Sequence, residues 1–266
     1  MFYGLLAGKI DSGPFRVEPV VASLPSLNDR ASRGELEATM ISAAAYPYLR
    51  GRYVLARCGA CFARGRGPVL AAREPIEEGK LTHACVAVPD ATSSAYVALQ
   101  LNRPGMRTRL LPADKVAQAT QMGLADCALL AHCDGADCRR SGLHCVDDVA
   151  ARWARTTDDL PLPITCVAIR SDLPGEVRER LEELLRQSIE YGLAHREEAA
   201  RYALRLGGNG AAGDDEAAEE TLGTYVSETA LQMGADDRSA LEEFLRRGRD
   251  ARIVPDALPV HYVGEA

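Results

Sequence analysis

Five histidines and eight cysteines are the side chains of this 266-residue chain that can exchange protons or hold a metal near neutral pH. His132 stands apart among the histidines because it follows the apolar run CALLA at 127–131. In parallel α/β sheets the ligand crevice lies outside the carboxyl ends of the strands, so an imidazole there can act as a proton acceptor. The competing reading is a loop histidine satisfied by backbone. His83, His144, His195 and His261 have weaker placements. Ser93 and Ser94 stand where PDATSS gives way to the helical segment AYVALQL. Their hydroxyls and the helix's free N–H groups can hold a carboxylate or phosphate, or simply cap the helix. Ser42, between an apolar run at 36–41 and a helical one at 43–49, carries the same two readings. Two such turns can face each other across one cleft.

Two further features offer less. The run ARGRGP at 63–68 lets backbone approach a ligand closely or merely connects elements, and it matches no nucleotide-binding fingerprint. Cys58 and Cys61 form a CxxC pair, and His132, Cys133, Cys138, His144 and Cys145 cluster in sequence. The second group has no paired CxxC or HxxxH unit, so reduced cysteines are expected and no metal.

The elements that must position these residues alternate between short apolar runs and amphipathic stretches, the pattern of strands covered by helices. A helix ends before Gly8, and its beginning is expected upstream of Met1. Strands are expected at Phe15–Val20, Leu36–Ile41, Tyr53–Arg57, Val69–Ala72, Ala84–Val88, Thr108–Leu111, Cys127–Ala131 and Ile164–Ile169. Helices are expected at Ser26–Arg33, Asp114–Met122 and Asp147–Thr156, then from Pro174 onwards, about 216–231 and 237–247. In the helix after Pro174, Val177, Leu181, Leu184, Leu185, Ser188 and Ile189 share one face. The strand Ala84–Val88 should open a second lobe, which gives one lobe of 1–86 with 171–266 and a smaller one of 87–170. A chain that builds one lobe, crosses to another and returns leaves a cleft.

Composition narrows the ligand. Apolar residues make up 47% and charged ones 26%, an ordinary globular mixture. A net charge of -7 without a clustered basic field argues against nucleic acid or a membrane surface, and leaves small molecules. No run approaches the roughly 20 apolar residues of a membrane span, and the opening MFYGLLAGKI has none of the parts of an export signal. The expected compartment is the cytoplasm, and the expected state a monomer or homodimer.

The motifs FYGLLAGKID, SLNDRASRGELEATMISAAAYPYL, RYVLARCGA, GRGP, PDATSSAY, ADCALLAH, LPLPI and HREEAARYAL, in that order, resemble the 1,4-dihydroxy-6-naphthoate synthase family of the futalosine route to menaquinone. The resemblance implies a two-lobed α/β fold of the periplasmic-binding-protein type (type II), with a central cleft and an N-terminal strand expected upstream of Met1, in a cytoplasmic enzyme that needs no cofactor or metal. It implies a carbon–carbon lyase acting on cyclic dehypoxanthinyl futalosine. His132 then matches the proton acceptor, Met40, Ile41 and Ser42 a substrate-binding stretch, and Ser93 and Ser94 the paired hydroxyl residues. The sequence departs from the family pattern where Met40 replaces a frequent Lys and where CDGADC follows His132. A solute-binding protein or a chorismate dehydratase-like enzyme would fit the same fold.

Overall fold

The computed structural model describes residues 1–65, 67–133, 138, 141–206 and 230–265, with the side chains at 131–133 and 204 left aside. Its organising strand is β9 (Leu162–Arg170), with β1 (Ala38–Ser42), β2 (Tyr53–Leu55) and β3 (Cys61–Ala63) all antiparallel to it. Such a strand is covered on both faces and therefore reads as an unbroken apolar run. Leu162, Ile164, Cys166 and Ala168 enter the large core, whereas Val167 and Ile169 enter a second one with Leu185 and Ile189. Those last two belong to the long helix Gly175–Ala194, whose expected apolar face is buried at Leu184, Leu185, Ser188 and Ile189. The short helix α1 (Tyr3–Leu6) packs on it, with the Leu5 N–H donating to Ser188 Oγ at 3.1 Å. Gly4 permits that approach, since a Cβ there would lie 3.0 Å from Ser188 Cα.

The second sheet holds β4 (Gly67–Ala72), β5 (Cys85–Val88), β6 (Arg107–Leu110), β7 (Cys127–Cys133) and β8 (His144–Asp148) in the order β6-β5-β7-β4-β8. β5 is parallel to both β6 and β7, and β4 is antiparallel to β7 and β8. The strand at 67–72 thus belongs to the second sheet and β9, at 162–170, to the first, which corrects both lobe boundaries, expected near 86 and 170: the crossings fall just before Gly67 and before Leu162. The reason lies in pairing. An apolar run cannot announce which neighbour completes its ladder, and Val69–Ala72 pairs with Cys127–Leu130 rather than with the first sheet. Gly67 is required at the crossing, where a Cβ would stand 2.7 Å from Ala150 Cβ and 2.9 Å from Ala63 Cβ.

The strand expected at Phe15–Val20 does not form. That segment carries no ladder bonds, and Val17, Val20 and Val21 stand 40%, 40% and 58% exposed. β-branched residues favour a strand only where a neighbour accepts their backbone, and none of the described strands lies beside this one. β3 was not foreseen because it is only three residues long, and β8 because HCVDD is only partly apolar. Helix α2 (Leu24–Ser32) starts two residues before the expected Ser26, at a proline-containing first turn. The helix expected at 216–231 lies almost wholly outside the described residues. The one expected at 237–247 runs from Ala235 to Asp250.

Helix α3 (Ser94–Asn102) lies where the two sheets meet, against β9 and the 3₁₀ turn Ala43–Ala45. Trp153, on the helix Val149–Arg155, is fully buried edge-on to Phe244 of the C-terminal helix, ring centroids 5.6 Å apart. Its indole N–H donates to Pro161 O at 3.2 Å, so this large side chain is satisfied as well as packed.

Candidate functional site

Ser42 ends β1, and its surroundings are set by Asn28 from α2. The Ser42 N–H donates to Asn28 Oδ1 at 3.0 Å, and Asn28 Nδ2 donates to Ser42 Oγ at 3.2 Å. Both residues are buried, to 1% and 7% exposure. Asn28 was missed by sequence reasoning. The available signal was an asparagine in mid-helix, where it is a poor helix former and needs another reason to be present. Because side chains alternate along a strand, Met40 and Ser42 share one face of β1 and Ile41 takes the other. Ile41 is fully buried, and its side chain packs in the large core. Met40 lines an apolar cavity of about 420 Å³ together with Phe2, Val20, Val21, Leu27 and Tyr202. This cavity lies on the outer face of the first sheet and touches neither Ser42, Ser93 nor Ser94.

The two serines of the PDATSS turn divide their work. Ser93 caps α3: its Oγ accepts the Tyr96 N–H at 3.2 Å and donates to Asp90 O at 2.9 Å. That hydroxyl is occupied as a cap. Ser94 instead reaches across to the first lobe, donating to Ile164 O at 2.7 Å and accepting the Ala44 N–H at 3.2 Å. Thus the turn after β1 and the turn after β5 do face each other, joined by one hydroxyl and sealed from solvent, with Ser94 only 2% exposed.

His132 lies within β7, which runs two residues past the expected Ala131. Its backbone is described, but its side chain and the residues 134–137 that follow lie outside the described set. The register is informative: Cys133 pairs with Gly67, so the carboxyl end of β7 adjoins the first crossing between lobes. Thr165, in β9, was not singled out. It pairs with Ser42 across the ladder, is 2% exposed, and its Oγ1 has no hydrogen-bond partner. The signal was present, since Thr165 is the lone hydroxyl in the run LPITCVAIR.

Among the described residues the cysteines form no ligand set. Cys58 and Cys61 belong to different cores, and burial pushes their thiols up to about 12 and about 11. Cys127 and Cys166 are raised to about 12 by the same cause. Among the described residues no group of three or more His, Cys, Asp or Glu could hold a metal ion. Below the cleft, Arg103 and Arg152 converge on buried Asp147. Arg103 Nε lies 2.8 Å and Arg152 Nη2 3.0 Å from its carboxylate, and Glu78 bridges both cations. Burial raises the Asp147 pKa, but the two guanidinium groups more than offset it and leave the carboxyl below its usual value. This network fixes the second lobe; it does not reach the serines.

With this geometry in hand, comparison with known proteins identifies the lineage. The family model described as menaquinone biosynthesis matches residues 1–250. The chain belongs to this family. A relative from Thermus thermophilus, called 1,4-dihydroxy-6-naphthoate synthase, is 34% identical over 241 residues, covering 91% of this chain and 86% of that protein. One of the same name from Streptomyces coelicolor is 28% identical, covering 96% and 90%. The solved structure of protein AF1704 from Archaeoglobus fulgidus aligns with a TM-score of 0.86 at 30% identity, covering 95% of this chain and 93% of that one. The periplasmic aliphatic sulphonate binding protein SsuA from Escherichia coli aligns at 0.56 with 13% identity, over 87% of this chain and 80% of that one. That likeness shows the fold alone. The menaquinone-biosynthesis chain is therefore a two-lobed, periplasmic-binding-protein-like α/β protein, and among its described residues no helix is long and apolar enough to cross a membrane.

Proposed function

We propose that this chain is a 1,4-dihydroxy-6-naphthoate synthase that acts in the cytosol, cleaving a carbon–carbon bond of cyclic dehypoxanthinyl futalosine. The family match over residues 1–250 carries this reading. His132 is assigned as the proton acceptor, supported by the adjacency of the β7 end to the interlobe crossing through the Cys133–Gly67 pair. With the lobes closed on the substrate, His132 withdraws a proton and the bond to the departing sugar-derived fragment breaks, with aromatisation of the product as driving force. Closure through Ser94 excludes water from the bound ligand, the usual gain from a closing cleft.

The test is product formation from that substrate by the wild type and by His132→Asn. Asn keeps hydrogen bonding and similar size but takes up no proton near neutral pH, so the rate should fall about 10²–10⁴-fold with affinity largely kept. An active wild type with a mutant of near-normal turnover removes His132 from the role. An inactive wild type that still binds the substrate tightly makes the protein a binding module on the same fold.

A further inference from the structure

Three polar side chains, from three elements of the first lobe, meet in its otherwise apolar interior beside the lobe junction: Asn28 on α2, Ser42 on β1 and Thr165 on β9. Their hydrogen bonds do not balance. Asn28 spends both ends of its amide on Ser42, donating to its Oγ and accepting its N–H. The Ser42 hydroxyl is thereby used as an acceptor, and its own proton has no acceptor among the described residues. Thr165 Oγ1 is buried with no partner at all. Ser42 and Thr165 are cross-strand neighbours in register, so their hydroxyls project from the same face of the sheet, with Cβ atoms roughly 5 Å apart. One residue along the same strand, Ile164 O receives the Ser94 hydroxyl that ties the lobes together.

A buried hydroxyl without a partner costs roughly 1–3 kcal/mol relative to a satisfied one, and a folded protein keeps few of them. Here two adjacent O–H groups lack acceptors among the described residues. Both hydroxyl protons lack an acceptor, and the pair would serve an oxygen that carries negative charge. We propose that Thr165, with Ser42, binds a carboxylate oxygen of the ligand, making Thr165 a specificity-determining residue that favours carboxylate-bearing ligands. When the lobes part, the Ala44–Ser94 bond breaks and the approach to this pair opens from the cleft. When they close on a ligand, its carboxylate gives each hydroxyl the acceptor it lacks. This inference rests on the proposed naphthoate synthase reading for the identity of the ligand, but not for the existence of the donor pair.

The experiment compares wild type, Thr165→Val and Thr165→Ser. Val keeps the shape and removes only the hydroxyl; Ser keeps the hydroxyl. Binding of 1,4-dihydroxy-6-naphthoate is titrated by its fluorescence, alongside the same diol lacking the carboxylate, and the melting temperature is measured without ligand. Thr165→Val should weaken naphthoate binding about 3–10-fold, the range of one lost hydrogen bond, while Thr165→Ser binds as wild type. Affinity for the decarboxylated diol should not change between the variants. The melting temperature of Thr165→Val should hold or rise, because no protein hydrogen bond is lost. Unchanged naphthoate affinity in Thr165→Val overturns the proposal, as does an equal loss for both ligands, or absence of naphthoate binding by the wild type. A wild type that binds naphthoate in a Thr165-dependent way yet releases no product from cyclic dehypoxanthinyl futalosine supports the carboxylate site and refutes the synthase reading.

Discussion

Removing the Ser94 hydroxyl tests whether the two lobes are held together as the structure has them. Ser94→Ala leaves Ile164 O without its donor at 2.7 Å and the Ala44 N–H without its acceptor at 3.2 Å, both at a site only 2% exposed at Ser94. Each buried group left unpaired costs about 1–3 kcal/mol, and partial entry of water between the lobes places the sum nearer 2–4 kcal/mol than the upper limit. For a protein of this length each kcal/mol lowers the melting temperature by about 2–4 °C, so the drop should be roughly 4–16 °C. Ser93→Ala is the control, because it removes a helix cap from the same turn and should cost only about 0.5–2 kcal/mol. Thermal and urea unfolding of both variants, followed by circular dichroism, give the comparison. A Ser94→Ala loss below about 0.5 kcal/mol, where even one buried unpaired group would cost more, means that the lobes stand open in solution and refutes the latch.

Asn28→Ala should destabilise by about 2–4 kcal/mol, since it strips two partners from buried Ser42, and should weaken naphthoate binding by loosening that hydroxyl; unchanged unfolding in urea would contradict this. Asp147 has a folded-state pKa below its unfolded value, so its contribution is fully present above the unfolded pKa near 4 and is lost as the pH falls through the folded value. Accordingly, Asp147→Asn should be less stable at pH 7 and lose less than wild type on acidification, and parallel stability–pH curves would dismiss the network. Gly67→Ala should cost at least about 1–3 kcal/mol by driving a methyl into Ala150 and Ala63, and a variant with wild-type melting would show that the crossing relaxes freely.

Much of this architecture was legible because it depends on local periodicity. Strand β9 is apolar on both faces and announces a central strand, and the helix after Pro174 shows its buried face at 3.6-residue spacing. Ser93 is a cap wherever Pro-Asp-Ala-Thr-Ser-Ser precedes a helix, and the strand ending near His132 follows from CALLA. Pairing was not legible. Nothing local tells Val69–Ala72 to join the second sheet, or denies Phe15–Val20 a neighbour, because a ladder is a relation between segments far apart in sequence. The division of labour between Ser93 and Ser94 is likewise tertiary: two adjacent hydroxyls become a cap and an interlobe bond only once Ala44 and Ile164 are brought beside the second. The sequence by itself determined which segments must be buried and where a helix must begin. Only the tertiary structure decided which polar groups find partners, because hydrogen-bond satisfaction depends on neighbours across the fold, and that accounting is what set Thr165 apart.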